Sequence, residues 1–273
     1  MPAVQLVRLK KQIEDLSGLF AQPEDFLARL RFIFEQYGDL TYHAGQATKP
    51  VSLLPTYRAP AMLMKQLEIN LAPLCAARPL EALTIIDLLW QEEFLEPRQL
   101  ACSLLGQTAL TPFQAIINRL ESWPKDTQDT NLIDALFSAG SERLRREVPN
   151  RWLDVLRDWM GTSDLPLHKN ALIALLPFIL DREFENLPVV YNLITPSLQQ
   201  DSADLPSELQ KVLAGLARRS PIETGYFLRQ ILATNNETSL QRLVRRCLPS
   251  FPLETQIRLK AALQARSTPQ NDA

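Results

Sequence analysis

Prolines punctuate this chain at helix-sized intervals, and proline costs a backbone hydrogen bond inside a helix or a central strand. Several follow a polar break, as in SDLP (163–166), ADLP (203–206) and RRSP (218–221). Between the breaks run leucine-rich segments with apolar residues at helical spacing, such as Phe26, Leu27, Leu30, Ile33 and Phe34. Glycine is scarce, 8 residues against 20 prolines, so the segments favour helix, which Leu and Ala enter at little entropic cost. No sustained period-two alternation and no Asn-Gly or Asp-Gly turn competes. Short helices are therefore expected at 4–19, 24–37, 59–74, 79–90, 96–106, 111–123, 131–139 and 141–148. The series continues at 149–160, 166–180, 188–194, 206–218, 221–233, 238–248 and 252–265. Proline is tolerated in the first turn of a helix and excluded from its interior, so its regular spacing points to many short helices.

Short connections place successive helices antiparallel. One such pair cannot bury both of its faces, so neighbouring pairs must stack. The expected fold is all-α, an α-solenoid of stacked antiparallel helix pairs of the HEAT-like or ARM type. A single helical-repeat domain is expected over 1–265, followed by a tail at 266–273. Its helices in 1–38 lead into an irregular connection over 39–57, broken by Gly45, Pro50 and Pro55, and the array runs over 58–265. The repeat is degenerate, so the array follows from helix number and loop length, not from a period.

Cys75, Cys102 and Cys247 lie far apart, which points to core thiols and not to a disulfide framework or metal motif. His43 and His168 have no Cys or acidic residue at metal spacing, so no metal is expected. With no glycine-rich phosphate loop either, no cofactor is expected. No apolar run approaches the ~20 residues of a membrane span, and the N-terminus lacks an apolar signal core. A cytoplasmic monomer is the expectation.

The segment 79–106, PLEALTIIDLLWQEEFLEPRQLACSLLG, ends one helix in Leu89-Trp90. After an acidic turn it opens the next with Glu96, Arg98, Leu100 and Ala101. A second copy of this layout runs from 152 to 176, with Trp159, SDLP, Lys169 and Ala171. Both resemble the repeat unit of the helical-repeat alkylpurine DNA glycosylases, and IDALFSAG (133–140) is similar to that family's segment around its catalytic Asp. The resemblance spans about residues 20–250. It implies a groove for duplex DNA, an Asp that stabilises a developing cationic sugar, and tryptophans packed on the backbone and lesion. A carboxylate at that place gains as charge develops, and aromatic faces attract cations. On this resemblance Asp134 matches the catalytic Asp. The family's Trp four residues earlier falls on Thr130, a second family Trp falls on Lys211, and its phosphate-facing Arg falls on Lys169, which keeps the charge but loses the bidentate fork. Trp123-Pro124, at a helix end, is the candidate for a partly exposed aromatic. Read from the residues alone, Asp134 is equally a carboxylate capping a helix N-terminus.

Net charge is −2, but residues 201–273 hold 10 Lys and Arg against 7 Asp and Glu. Basic clusters occur at Arg143, Arg145 and Arg146, at Arg218 and Arg219, and at Arg242, Arg245 and Arg246. With Lys169 and Lys211 they form candidate phosphate contacts if stacked repeats align them. Otherwise they are solvated faces paired with acids such as Glu142, Glu147 and Asp154. Three functions stay open: a non-catalytic scaffold holding a DNA backbone or a protein, an active alkylpurine glycosylase using Asp134, and a protein-binding adaptor without DNA affinity.

Overall fold

Every element of the computed structural model, which describes residues 6–38, 52–199, 207–235 and 237–267, is helical. Residues 39–51 of the expected connection and 268–273 of the expected tail lie outside the described residues. The chain divides into two compact units, Met1–Trp152 and Leu153–Ala273.

The first unit holds α1 (Leu6–Gly18), α2 (Pro23–Tyr37), α3 (Ala61–Ala77), α4 (Pro79–Gln91) and α5 (Leu95–Gln107). It continues with α6 (Phe113–Ser122), a 3₁₀ turn Trp123–Asp126, α7 (Thr130–Ser138) and α8 (Glu142–Glu147). Helices α1, α3, α5 and α7 pack side by side as one layer, and α2 packs on α4 in the other. A short segment, 52–60, is not helical. The unit boundary falls within α9 (Pro149–Gly161).

The second unit holds α10 (Leu165–Leu180), α11 (Leu187–Gln199), α12 (Ser207–Arg219), α13 (Pro221–Thr234), α14 (Thr238–Cys247) and α15 (Leu253–Ser267). Its layers are α10–α12–α14 and α11–α13–α15. Each unit is thus a two-layered stack of helix pairs, the arrangement of an α-solenoid. No described helix is long and apolar enough to cross a membrane.

The packing follows from the leucine stripes. In α3, Leu63, Leu67, Leu71 and Cys75 recur every fourth residue and are fully buried. In α12, Leu209, Val212, Leu213 and Leu216 do the same. Burying each leucine contributes about 2 kcal/mol, which short isolated helices need because they are marginal in water. All three cysteines are buried and free, and burial pushes the Cys75 and Cys247 thiols up to about 12.

Proline behaves partly as expected. Pro23, Pro79 and Pro221 start α2, α4 and α13, where no N–H is needed. The expectation that proline stays out of helix interiors is corrected at three places: Pro73, Pro177 and Pro196 lie inside α3, α10 and α11. Each sits in the C-terminal half of its helix and leaves one carbonyl, four residues earlier, without its helical donor. Helix α11 consequently runs to Gln199, past the end expected at 194.

Neighbouring helices of one layer also need a small residue where α5 meets the end of α7. A Cβ on Gly106 of α5 would lie 1.9 Å from the Ala139 carbonyl oxygen, and backbone cannot yield cheaply. At Gly18 a Cβ would meet nothing within 4 Å. Gly106→Ala should therefore destabilise the protein by about 1–3 kcal/mol. Gly18→Ala should be neutral or stabilising by up to ~1 kcal/mol. Equal denaturation midpoints for the two variants would contradict this contact.

Candidate nucleic-acid interface

In the first unit the sequence candidates centre on Asp134. It is exposed on α7, in the α1–α3–α5–α7 layer. Asp134 is not the helix cap, which corrects that expectation. Asp129 caps α7, its carboxylate accepting from the Asn131 and Leu132 N–H groups at 2.9 and 3.2 Å. The Asp129 carboxylate also accepts from Ser52 Oγ and from the Leu53 N–H, pinning the non-helical segment to the start of α7. Burial pushes the Asp129 carboxyl up, but the Ser52 hydroxyl and the Leu132, Leu53 and Asn131 amides outweigh it and hold the carboxyl below its ordinary range.

Glu96 performs a similar task one helix earlier. Its buried carboxylate accepts from the Tyr57 and Ala59 N–H groups at 2.9 and 3.2 Å. The Leu95 N–H donates to the Pro55 carbonyl at 2.9 Å. Segment 52–60 is thereby held at both ends and in the middle. The sequence reading passed over Asp129 and Ser52 and did not foresee what Glu96 holds. Asp129 carried a legible signal, since an Asp before an apolar helical run is a standard N-cap.

Trp123 is buried, which corrects the expectation of a partly exposed aromatic. Its ring stacks on Trp90 with centroids 4.4 Å apart and planes at 7°. Arg98 lies over Trp90 at 5.7 Å while its Nε donates to the Glu92 carbonyl at 2.6 Å. The Trp-turn-Glu-x-Arg layout therefore serves the fold: Arg98 covers Trp90 and closes the end of α4, and Glu96 grips the segment 57–59. Helices α3, α5 and α7 carry one aromatic residue, Phe137, and it is buried.

The arginines of α8 are engaged inside their unit and do not stand as a bare phosphate stripe. Arg143 donates to Glu147 at 2.7 Å and to the Gln107 carbonyl at 2.7 Å. Arg145 donates to Ser141 Oγ at 2.6 Å and to the Phe137 carbonyl at 3.1 Å. Exposed Arg146 pairs with Glu142 at 3.2 Å. Asp154 pairs with Arg157, not with this cluster.

The second unit gathers the remaining candidates. Lys169 on α10, Lys211 and Arg218 on α12, and Arg242, Arg245 and Arg246 on α14 are all exposed. Their helices are lateral neighbours in one layer. Lys211 and Arg218 stand seven residues apart, two turns along one stripe. The three helices contain one carboxylate, Glu208, whose Oε1 accepts from Ser207 at 3.0 Å. His168 is buried against Ser197 Oγ at 2.9 Å, and burial lowers its pKa. Among the described residues no group of three His, Cys, Asp or Glu could hold a metal.

Arg219 is a correction to the candidate set. Its guanidinium donates to the carbonyls of Phe178, Ile179, Asp181, Arg182 and Phe184, closing the C-terminus of α10 and the turn after it. Arg218, its neighbour, stays exposed. Arg219→Ala should cost about 1.5–3 kcal/mol of stability, and Arg218→Ala little. Unchanged thermal unfolding of Arg219→Ala would remove the capping role. For Asp129 the folded carboxyl lies below its unfolded value, so its stabilisation is complete above about pH 4 and is lost as pH falls through the folded value. Asp129→Asn should therefore be less stable near pH 7 and lose stability less steeply on acidification, as read from melting temperatures between pH 3 and 7. Parallel pH profiles would contradict the assignment.

A search of curated proteins finds no match to the chain. The family model described as DNA alkylation repair enzyme matches residues 69–246, a span that runs from α3 into α14 and takes in Asp134 and the six exposed cations of α10, α12 and α14. Two independent lines, an all-helical stack of paired helices and a family match over most of its length, place the chain in the DNA alkylation repair enzyme family.

Proposed function

We propose that this family member is a non-catalytic scaffold that holds the backbone of duplex DNA through the α10–α12–α14 layer. The observation that carries the reading is the charge of that layer. Six exposed cations, Lys169, Lys211, Arg218, Arg242, Arg245 and Arg246, share it with one carboxylate, in a chain whose net charge is −2. Concentrated positive charge on a neutral or acidic protein favours a polyanion, and phosphate contacts give affinity without sequence preference.

Three features favour a scaffold over an enzyme. Thr130 stands where the resemblance calls for a tryptophan. Lys211 stands at the second such place. The layer that carries Asp134 has no exposed aromatic to pack on a cationic base. One observation favours catalysis as the second reading: Asp134 is exposed on α7.

Duplex binding measured by fluorescence anisotropy should be tight at low salt and weaken steeply as salt rises. Replacing Lys211, Arg245 and Arg246 together with Glu should abolish most binding and make the salt slope shallower by about 2–3. No base release from an alkylated duplex is expected. Release that disappears in Asp134→Asn would establish the glycosylase instead. A parent protein with no affinity for duplex at low salt would leave the protein-binding reading.

A further inference from the structure

We infer that the α11–α13–α15 layer of the second unit carries a docking groove for a protein segment in which lysine or arginine stands beside large apolar side chains. The groove measures about 890 Å³, and its lining comes from those three helices and the turn before α11. The six cations proposed to hold DNA belong to the other layer, so the inference does not depend on duplex binding.

The groove leaves large apolar side chains in water. Ile222 and Tyr226, four residues apart on one face of α13, are 77 % and 56 % exposed. Tyr226 is nonetheless held in place. The Gln230 Nε2 donates to its hydroxyl at 2.8 Å, and the Arg229 guanidinium lies 5.8 Å from its ring centre. Deeper in the groove the Tyr191 hydroxyl is bonded to the buried Thr224 Oγ1 at 2.9 Å. The Tyr191 ring leans on Phe227, with centroids 4.8 Å apart. Where α13 meets α15, a Cβ on Gly225 would collide with Thr255, so the two helices close tightly beneath these rings. The aromatic wall is thus fixed before anything binds. Rigid tyrosines of this kind lose little freedom on binding and anchor protein interfaces.

Charge selects the occupant. The groove gathers the N-terminal ends of α11, α13 and α15, and with them Glu185, Glu223 and Glu254, all exposed. Glu223 accepts from Ser220 Oγ at 2.8 Å and Glu254 from Arg258 at 2.5 Å, contacts at the surface that a new partner displaces at little cost. A carboxylate suits the positive end of its own helix, which accounts for each acid singly. It does not account for Ile222 and Tyr226 left in water among them. Basic side chains of a partner meet the three carboxylates while its apolar side chains cover Ile222 and Tyr226. The same carboxylates repel a nucleic-acid backbone or an anionic bilayer. A small organic cation inside the groove leaves Ile222 uncovered at the rim, whereas a peptide covers groove and rim together.

The probe is a library of random peptides displayed on phage and selected on the full-length protein, each enriched sequence being remade with a fluorophore for anisotropy. Enriched peptides should carry lysine or arginine beside large apolar residues and bind more weakly as salt rises. Tyr226→Ala should weaken them roughly ten- to thirtyfold. Ile222→Ser and the double variant Glu185→Lys with Glu223→Lys should each weaken them at least about fivefold. Thermal unfolding controls for the fold, and if Tyr226→Ala melts early, Ile222→Ser at its exposed position carries the test. Duplex affinity, measured in parallel, should match the parent in all of these variants. No enrichment, enriched peptides that are acidic or wholly apolar, or affinities unmoved by the groove variants would overturn the inference. So would loss of duplex affinity in the same variants, or a concentration-dependent dimer in sedimentation that Ile222→Ser abolishes, which would make a second copy the occupant.

Discussion

Short helices have many ends, and this protein must satisfy the polar groups at those ends with few glycines to help. Each helix leaves four N–H and four C=O groups without intrahelical partners. The solution recurs through the chain. Prolines open some helices where no N–H is wanted, and charged side chains close the ends of several others. Asp129 and Asp164 accept from first-turn amides, while Arg98 and Arg219 donate to last-turn carbonyls. Glu96 goes further and satisfies amides of a segment that is not helical at all. The stacking of leucine stripes supplies the free energy, but these ionic caps close ends of α4, α7 and α10 and hold segment 52–60.

That economy explains which parts of the architecture were legible beforehand. Leucine periodicity and proline breaks mark helices because both act within a few residues along the chain. The starts of α2, α4 and α13 follow from Pro23, Pro79 and Pro221. Ends were harder. Pro196 reads as a stop, yet α11 continues through it, because a proline late in a helix forfeits one hydrogen bond and packing of Ile194 and Leu198 outweighs that loss. The fixing of segment 52–60 was invisible for another reason. Its partners, Glu96 and Asp129, lie 37–39 and 76–77 residues away in the chain, beyond any local pattern.

The candidate site was legible as composition and illegible as geometry. Arg218 and Arg219 are adjacent and chemically identical, yet one is exposed and the other closes α10 through five carbonyls. Helical geometry separates them by about 100° around the axis, which is enough to turn one toward water and the other toward α10. Trp123 follows the same logic. A tryptophan before a proline at a helix end looks exposed, but Trp90 offers a parallel face that removes it from water. The α8 cluster shows the limit of charge counting: two carboxylates, one hydroxyl and two carbonyls nearby engage all three of its arginines. Lys169, Lys211 and the α14 arginines could be picked from the sequence because their helices carry almost no acids to compete.

On the proposed reading, a lysine at position 211, where the resemblance calls for a tryptophan, alters the physics of binding more than its strength. An aromatic face senses a cationic base or a sugar at contact distance, so it discriminates a lesion from intact DNA. A lysine senses phosphate at up to a Debye length, about 10 Å at 0.1 M salt, and is indifferent to the base. With Lys169 on the neighbouring helix α10 in place of an arginine fork, that reading gives the second unit a diffuse positive field instead of directional contacts. Such a surface suits a protein that must sit on duplex DNA anywhere along its length. It does not suit one that must stop at a single altered purine.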